Sequence, residues 1–502
     1  MVKESKVERQ LERLQEHLKQ ENPILSEVVS SFRELDRICR KLGFFSPEES
    51  HATRTAWWPL ISVLGVYSSG KSTFINHYLA YRLQATGTQA VDDRFTVICY
   101  GRDDDPRVLP GVALDADPRF PLYRISRAIE SVAEGEGRRI DSYLQLKTCG
   151  SERIKGKIFI DSPGFDADAQ RTSTLRITDH IIDISDLVLI FFDARHPETG
   201  SMQNTLEHLV RGTIHRTDSN KFLYILNQID TAAREDNPEE VFSAWQRALA
   251  QYGMTAGRYY TIYNEEAAIP IKEEKIRARF ESKRDADLRE IHSRIEQVGV
   301  ERAYRIVGML EQAARSLKQD LVPFLKEFMG SWRRRVLMID GVMGGLILIC
   351  FLLLTIWQGY WEGLHLRAPF LETLVSKAYI RDPFLIVIVL LALGVHQIVR
   401  RRVALKLISK SLKGIVGENR RSHYLGALEK NCRWTRSIFQ VNPEGWGRRN
   451  RRRLEGVLDE ANTFMQRLND MYTDPSGEGK GGPLMGEPPL PRDGESDRAF
   501  HG

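Results

Sequence analysis

The apolar positions of residues 3–43 recur every three or four residues, which is the spacing of one face of a helix. Pro23 separates two such faces, and proline interrupts a helix. The first face comprises Val7, Leu11, Leu14 and Leu18, and the second comprises Ile24, Val28, Phe32, Leu35, Ile38 and Leu42. The pattern predicts two amphipathic helices. It favours packing on a folded domain over a free coiled coil.

Residues 57–265 have a different pattern, in which short apolar runs alternate with helical stretches. The runs, which we expect to be buried strands, are residues 60–64, 158–160, 187–193 and 222–226. Alternation of this kind is typical of an α/β domain with a mostly parallel sheet.

Two much longer apolar runs follow. Residues 336–357 would span about 33 Å as a helix, enough for the hydrocarbon core of a bilayer. Residues 384–399 would span roughly 24 Å, which is short for the hydrocarbon core, so this run either thins the bilayer or snorkels its flanking residues; the alternative is a re-entrant segment. Gly341 and Gly345 lie on one face of the first run, and this face should pack either against Gly394 in the second run, which we favour, or against the first run of a neighbouring subunit.

Arginine triplets mark the outer ends of these runs, at residues 333–335 and 400–402. Positive charge is retained on the cytosolic side of a membrane, so both triplets should face the cytosol. The runs would then form a transmembrane hairpin with both termini cytosolic, in a bacterial inner membrane or an organelle membrane. The alternative is a pair of buried core helices, which rarely carry arginine triplets at both outer ends.

Composition and charge limit the number of domains, the kinds of partner and the compartment that can be expected. A chain of 502 residues allows two to four domains, and a net charge of +5 gives no reason to expect a nucleic-acid partner. Five dispersed cysteines predict a reduced compartment without a disulfide framework. The charged first ten residues do not resemble a secretory signal. The basic block at residues 448–453 either contacts anionic lipid or forms a solvated helix face.

The stretch from residue 65 to residue 72 reads GVYSSGKS and matches the phosphate-binding pattern G-x-x-x-x-G-K-[ST]. Gly65 and Gly70 let the backbone curl, so that successive N–H groups point at a polyphosphate. Lys71 would reach the β- and γ-phosphates, and the hydroxyl of Ser72 would ligate Mg²⁺. The helix predicted to follow would hold the phosphates at its amino terminus.

Two further motifs end predicted strands. Asp161 and Gly164 bound a D-x-x-G tetrapeptide, in which the aspartate would lie near Mg²⁺ and the glycine would sense the γ-phosphate. The sequence NQID from Asn227 to Asp230 is similar to the N-K-x-D base-recognition motif of GTPases, with Gln228 in place of lysine. The carboxylate of Asp230 would accept two hydrogen bonds from a guanine edge.

Together with FFDAR at residues 191–195 and RYY at residues 258–260, these motifs resemble the dynamin superfamily, in particular its EH-domain-containing (EHD) ATPase branch. The resemblance covers roughly residues 55–330 and implies catalytic roles for Ser68, Lys71 and Thr96. The nucleotide-binding residues it implies are Gly65, Ser68, Ser69, Gly70, Lys71, Ser72, Thr73, Asp161, Gly164, Asn227 and Asp230, with Ser72 and Asp161 as Mg²⁺ ligands.

The chain departs from that family in three ways. The switch threonine should lie just before Phe95, where VDDR stands, and the nearest threonines are Thr88 and Thr96. Gln228 replaces the lysine of the base motif, and EHD proteins use ATP with a similar motif. GTP is therefore the favoured nucleotide and ATP the alternative. No EH domain is visible in the sequence.

The expected organisation has six parts. They are N-terminal helices belonging to a stalk (1–50), a dynamin-type nucleotide domain (51–270), a helical stalk (271–335), the transmembrane hairpin (336–400), a C-terminal helical region (401–472) and a disordered tail (473–502). This order also resembles the layout of mitofusins and bacterial dynamin-like proteins. The expected function is GTP hydrolysis that drives homodimerisation or homo-oligomerisation and remodels or tethers a membrane of anionic lipid. The alternative is a slow nucleotide switch that recruits partners.

Overall fold

A computed structural model describes residues 6–86, 94–101, 105–117, 119–123, 125–132, 135–164, 172–195, 218–234, 238–251, 257–368, 378–415 and 418–473. The chain divides into two compact units. The nucleotide unit contains residues 13–25 and 53–306, and the helical unit contains residues 1–12, 26–52 and 307–502. The expected tail from residue 474 onward lies outside the described residues.

The nucleotide unit is built on a sheet whose strands, within the described residues, are β1 (Leu60–Gly65), β2 (Phe95–Tyr100), β3 (Arg107–Pro110), β4 (Leu144–Cys149), β5 (Ile158–Asp161), β6 (Leu187–Asp193), β7 (Phe222–Asn227) and β8 (Arg258–Ile262). Their spatial order is β3-β4-β2-β5-β1-β6-β7-β8. Strand β2 is antiparallel to β5 and β3 is antiparallel to β4, whereas the other neighbours are parallel. The predicted mostly parallel α/β sheet is confirmed.

The helices of the described residues are α1 (Lys6–Glu21), α2 (Pro23–Leu42), α3 (Lys71–Leu79), α4 (Val112–Ala116), α5 (Ile125–Val132), α6 (Thr172–Ile184), α7 (Pro238–Gln251), α8 (Glu274–Ser316), α9 (Val322–Trp357), α10 (Ala378–Leu412), α11 (Glu418–Asn431) and α12 (Arg448–Tyr472). A π-type turn at Leu317–Leu321 joins α8 to α9. A short hairpin of β9 (Trp361–Glu362) and β10 (His365–Leu366) follows α9.

Both faces of the sheet are covered by helices, which explains why the strands read as continuous apolar runs. Residues of β1, β6 and β7 alternate between two clusters. On one side Val63 and Phe191 pack with Phe74 of α3, and on the other Phe192 packs with Trp245 of α7. The strands at the β2 end pack with α5 and α6 in a third cluster.

Helix α8 departs from the predicted domain boundary. Its apolar face, which includes Ile291, Ile295 and Val298, is fully buried in the same cluster as Phe74 and Phe191. The expected stalk, starting at residue 271, therefore differs from the structure, in which α8 up to residue 306 is part of the nucleotide unit. A helical period identifies an apolar face but does not identify the surface that covers it.

The helical unit confirms the prediction for α2. All six apolar residues of its predicted face are buried, as are Leu454, Val457, Phe464 and Leu468 of α12. Arg467 makes a bidentate pair with Glu27 at 2.7 and 2.9 Å, and Arg453 pairs with Glu34 at 3.1 Å. Helix α2 and helix α12 are thus parts of one packed unit.

Helices α9 and α10 contain the two long apolar runs and are long and apolar enough to cross a membrane by length and composition. Most of their apolar side chains are exposed in the structure. The predicted glycine contact is wrong for the two helices of this hairpin. A Cβ placed on Gly341, Gly345 or Gly394 would have no atom within 4 Å. A polar pair joins the helices instead, since Nδ1 of His396 lies 2.7 Å from the Asp340 carboxylate.

Candidate nucleotide-binding site

The three predicted motifs meet at one edge of the sheet. Strands β1, β5, β6 and β7 run in the same direction, and their registers pair Val63 with Asp161, Gly65 with Phe191, and Asp193 with Asn227. The carboxyl ends of these strands therefore lie side by side. Ligands of open α/β sheets bind in the crevice at this edge.

The phosphate-binding loop lies between β1 and α3. Ser68 and Gly70 both have left-handed backbone conformations, with φ of 57° and 84°. The Lys71 side chain is buried and curls back, so that its ammonium group donates to the carbonyl oxygens of Gly65 and Val66 at 3.0 and 2.9 Å. The predicted phosphate lysine thus lies inside the curve of the loop, at the start of α3.

The predicted metal ligands are adjacent. The Ser72 hydroxyl donates to Oδ2 of Asp161 at 3.2 Å, and that oxygen also accepts from Nε2 of Gln84 at 2.7 Å. Lys147 donates to the other end of the Gln84 amide, at 2.7 Å. A hydroxyl and a carboxylate are the hard oxygen ligands that Mg²⁺ prefers, so the pair fits this ion.

Gln84 is a site residue that sequence reasoning missed. Its side chain is 2% exposed and links the carboxylate of Asp161 to the ammonium of Lys147. It belongs to none of the recognised motifs, and nothing in its local sequence marks it. Its role arises from a contact between residues 77 positions apart.

The glycine of the D-x-x-G motif rests on the phosphate-binding loop. A Cβ on Gly164 would lie 2.8 Å from both Cα and Cβ of Tyr67, closer than a side chain can approach. Residues 165–171, which follow this glycine, lie outside the described residues. The hydroxyl of Ser162 in the same motif is buried without a hydrogen-bond partner among the described residues.

The base motif is also attached to the loop. Nδ2 of Asn227 donates to the Ser69 carbonyl at 2.8 Å, and Nε2 of Gln228 donates to the Ser68 carbonyl at 2.6 Å. A Cβ on Gly70 would come within 2.1 Å of the Asn227 amide, so only glycine fits here. Gln228 stands at the position of the GTPase lysine, and in this structure its side chain bonds the backbone of the loop.

Asp230 and Arg195 lie near this junction. Asp230 is buried and accepts a hydrogen bond from the backbone N–H of Ile269 at 2.9 Å. Arg195 pairs with Asp193 at 2.6 Å and donates to the Ser68 carbonyl at 3.3 Å. The hydrogen bond that Arg195 donates to the Asp193 carboxylate, with smaller contributions from the charges of Asp193 and Asp230, raises the pKa of Arg195 above its ordinary value. Arg195 ends the FFDAR segment, but the sequence motifs did not predict that it would lie in the site.

Thr96, the candidate switch threonine, lies within β2 and is paired in register with Asp161. Its side chain is 1% exposed, and its hydroxyl accepts a hydrogen bond from Nε2 of Gln145 at 2.7 Å. Thr88, the other candidate, lies outside the described residues. The catalytic role of Thr96 stays a prediction.

The fold and the site define a P-loop nucleotide-binding protein. Residues 61–229 match the Dynamin family, so this part of the chain is similar to the nucleotide domain of that family. The chain is also similar to EH domain-containing protein 1 of Arabidopsis thaliana, with 28% identity over 181 residues. That alignment covers 34% of this chain and 30% of the relative.

Two solved structures of an oligomerised bacterial dynamin pair, described as a mechanism for long-range sensing and tethering of membranes, also align with the chain. The alignments cover 88% and 92% of this chain and 79% and 75% of those chains, at 12% and 11% identity. Their TM-scores are 0.30 and 0.31.

Proposed function

We propose that the protein is a membrane-anchored dynamin-like NTPase that binds and hydrolyses GTP with Mg²⁺. Hydrolysis would drive self-association and thereby remodel or tether a membrane. The observation that carries the proposal is the direct hydrogen bonding of the base motif to the phosphate-binding loop, through Asn227 and Gln228. One nucleotide would contact both motifs, so its binding would affect the phosphate-binding loop and the base motif together.

Each site residue has a chemical role in this proposal. Lys71 would exchange its bonds to the loop carbonyls for bonds to the β- and γ-phosphates. Ser72 and Asp161 would hold Mg²⁺, which neutralises charge on the phosphates. Arg195 adds a permanent cation whose side chain bonds the loop backbone.

The base preference rests on Asp230, whose carboxylate suits the two donors of a guanine edge. It lies buried in the turn after β7, and the backbone of Ile269 holds one of its oxygens. ATP is the alternative substrate, because Gln228 bonds Ser68 where the lysine of GTPases would stand.

Membrane anchoring is supported by the exposed surface of α9 and α10. Side chains such as Ile347, Leu353 and Leu391 are 67%, 61% and 64% exposed. Burying such a side chain contributes about 1.5–3 kcal/mol, so two helices that leave many of them in water would be strongly driven into lipid. Contiguous apolar surface of this kind marks a membrane or protein interface.

A slow, non-mechanical nucleotide switch is the second candidate. The observation that favours it is the burial of Thr96 inside β2, where Gln145 occupies its hydroxyl. A threonine held in this way would have to leave the strand before it could position water. Turnover stimulated by self-assembly on liposomes supports the mechanical role, whereas slow turnover independent of lipid and protein concentration supports the switch.

The test is a titration of the full-length protein in detergent with fluorescent analogues of GTP and ATP. Lys71→Ala should abolish binding or turnover, because the phosphate charge is left uncompensated. Lys155→Ala is the matched control, since this exposed lysine of the same unit pairs with Glu152 and should leave binding unchanged. If Lys71→Ala retains full affinity and full hydrolysis, the assignment is wrong.

A further inference from the structure

The loop between α11 and α12, residues 432–447, exposes three large apolar side chains. Trp434, Phe439 and Val441 are 76%, 70% and 64% exposed, although Ile438 and Trp446 of the same loop are buried. The loop thus divides its apolar residues between an inward set that packs and an outward set that does not. Large aromatic side chains held outward on a folded surface mark an interaction site.

The outward set is held in place by the fold of the loop. The guanidinium of Arg436 is buried and donates to the side chain of Asn431 and the carbonyl of Asn442. The N–H of Glu444 donates to the same Asn431 side chain at 2.9 Å. Because the loop conformation is already fixed by these bonds, little conformational entropy is lost when its outer face binds.

The loop is also tied to the end of the second apolar helix. Arg400, the residue after the apolar run of α10, is 5% exposed and donates to the carbonyl oxygens of Arg433 and Arg436 at 3.2 and 2.6 Å. The carbonyl of Arg400 accepts from Trp332 of α9, four residues before the first apolar run begins. The loop is therefore fixed at the level where both apolar runs meet the polar part of the chain.

The charge around the loop is mainly positive. Residues 433–453 contain seven arginines and a single acidic residue, Glu444. Arg433, Arg448, Arg449 and Arg452 are exposed. Basic side chains near an anionic membrane surface contribute about 1 kcal/mol each, and tryptophan is enriched at the level of lipid headgroups.

We infer that this loop is an interfacial membrane-binding element, which inserts Trp434 and Phe439 among the headgroups of an anionic leaflet. The inference rests on the proposed membrane anchoring, since that anchoring brings the loop to the bilayer surface. The aromatic side chains supply the apolar contact, and the surrounding arginines select anionic lipid. A lipid surface fits better than a protein partner, because the loop is bonded directly to the residue that ends a proposed span.

The test places a polarity-sensitive NBD dye at residue 439 of the full-length protein. Cys350 is exposed and is replaced by alanine. Burial raises the pKa of Cys432 and of Cys99 to about 12 and also raises the pKa of Cys39 and Cys149, so these thiols react slowly. Phe439→Cys then carries the dye, and Thr463→Cys, on an exposed position of α12, is the matched control.

Both proteins are reconstituted into liposomes of phosphatidylcholine alone or mixed with phosphatidylglycerol. We expect the emission at residue 439 to shift to the blue and to resist quenching by iodide, more strongly with phosphatidylglycerol, while the dye at residue 463 keeps its aqueous emission. Lipids brominated near the headgroup should quench residue 439 more than lipids brominated deep in the chains.

Carbonate extraction of the same liposomes separates the two levels of the proposal. Protein that resists extraction while residue 439 keeps an aqueous emission would overturn the loop inference and leave the anchoring intact. Extraction of the protein by carbonate would overturn the anchoring itself. A blue shift in detergent that grows with protein concentration would show that a second copy covers the loop, and would also overturn the lipid assignment.

Discussion

Gln84 offers a sharp test of the site, because its side chain is the buried link between Asp161 and Lys147. Gln84→Leu removes the amide while keeping a side chain of similar size. The Asp161 carboxylate then loses its 2.7 Å donor and keeps the weaker 3.2 Å contact from Ser72. We expect the carboxylate to lose the orientation in which it would hold Mg²⁺.

The size of the effect follows from the kind of bond that is lost. A hydrogen bond to a charged group contributes about 1.5–3 kcal/mol, which corresponds to roughly 10- to 100-fold in an equilibrium constant. Loss of an outer partner of a metal ligand typically weakens metal affinity by about the same 10- to 100-fold. The half-saturating Mg²⁺ concentration of Gln84→Leu should rise by this factor.

The assay is nucleotide hydrolysis by the full-length protein at a fixed, saturating nucleotide concentration and increasing Mg²⁺. Thr261→Val is the matched control, because this buried residue of the same sheet donates its hydroxyl to the carboxylate of Asp287, which lies outside the site. Thermal unfolding is measured for both variants. If Gln84→Leu loses stability like the control but keeps the Mg²⁺ dependence of the unmodified protein, the positioning role is refuted.

Three further predictions concern other parts of the molecule. Asp230→Asn should weaken GTP binding and favour xanthosine triphosphate, because an amide can donate to the xanthine oxygen; an unchanged base preference in competition binding would exclude Asp230 as the base reader. Burial, with smaller effects of His77 and Arg153, lowers the pKa of His292 from 6.5 to about 4, so the unfolded state binds the proton first. Stability should fall as the pH drops from about 6.5 towards 4, by at most about 3 kcal/mol, and His292→Phe should flatten the pH dependence of the melting temperature; an equally steep dependence in the variant would contradict this. Asp340→Leu should weaken the pairing of α9 with α10 through loss of the contact to His396, seen as reduced crosslinking between cysteines placed on the two helices; unchanged crosslinking would show that this pair does not hold the hairpin.

The sequence by itself determined the class of fold and the edge of the sheet at which the motifs meet. Apolar runs followed by GVYSSGKS, DSPG and NQID predict strands that end in polar groups, and parallel strands place those ends together. Local spacing is sufficient here, because each motif lies within a single strand-to-loop junction. The periodic faces of α1 and α2 were predictable for the same reason, and all ten of their apolar positions are buried.

The tertiary structure decided the contacts between distant segments. Gln84 meets Asp161 across 77 positions, and Gln228 bonds Ser68 across 160, distances at which no local pattern carries information. The period of α8 identified an apolar face, and only packing showed that the nucleotide unit covers it.

In the two long apolar helices, too, the sequence pattern predicted a contact and the tertiary structure decided which contact forms. Their spacing of glycines predicts a small-residue contact, but a spacing is satisfied by any partner that approaches that face. In the structure the helices are rotated so that the carboxylate of Asp340 meets His396, and the glycine face points elsewhere. In the proposed membrane spans an unpaired carboxylate would be costly, so the polar pair would outweigh the packing of small residues.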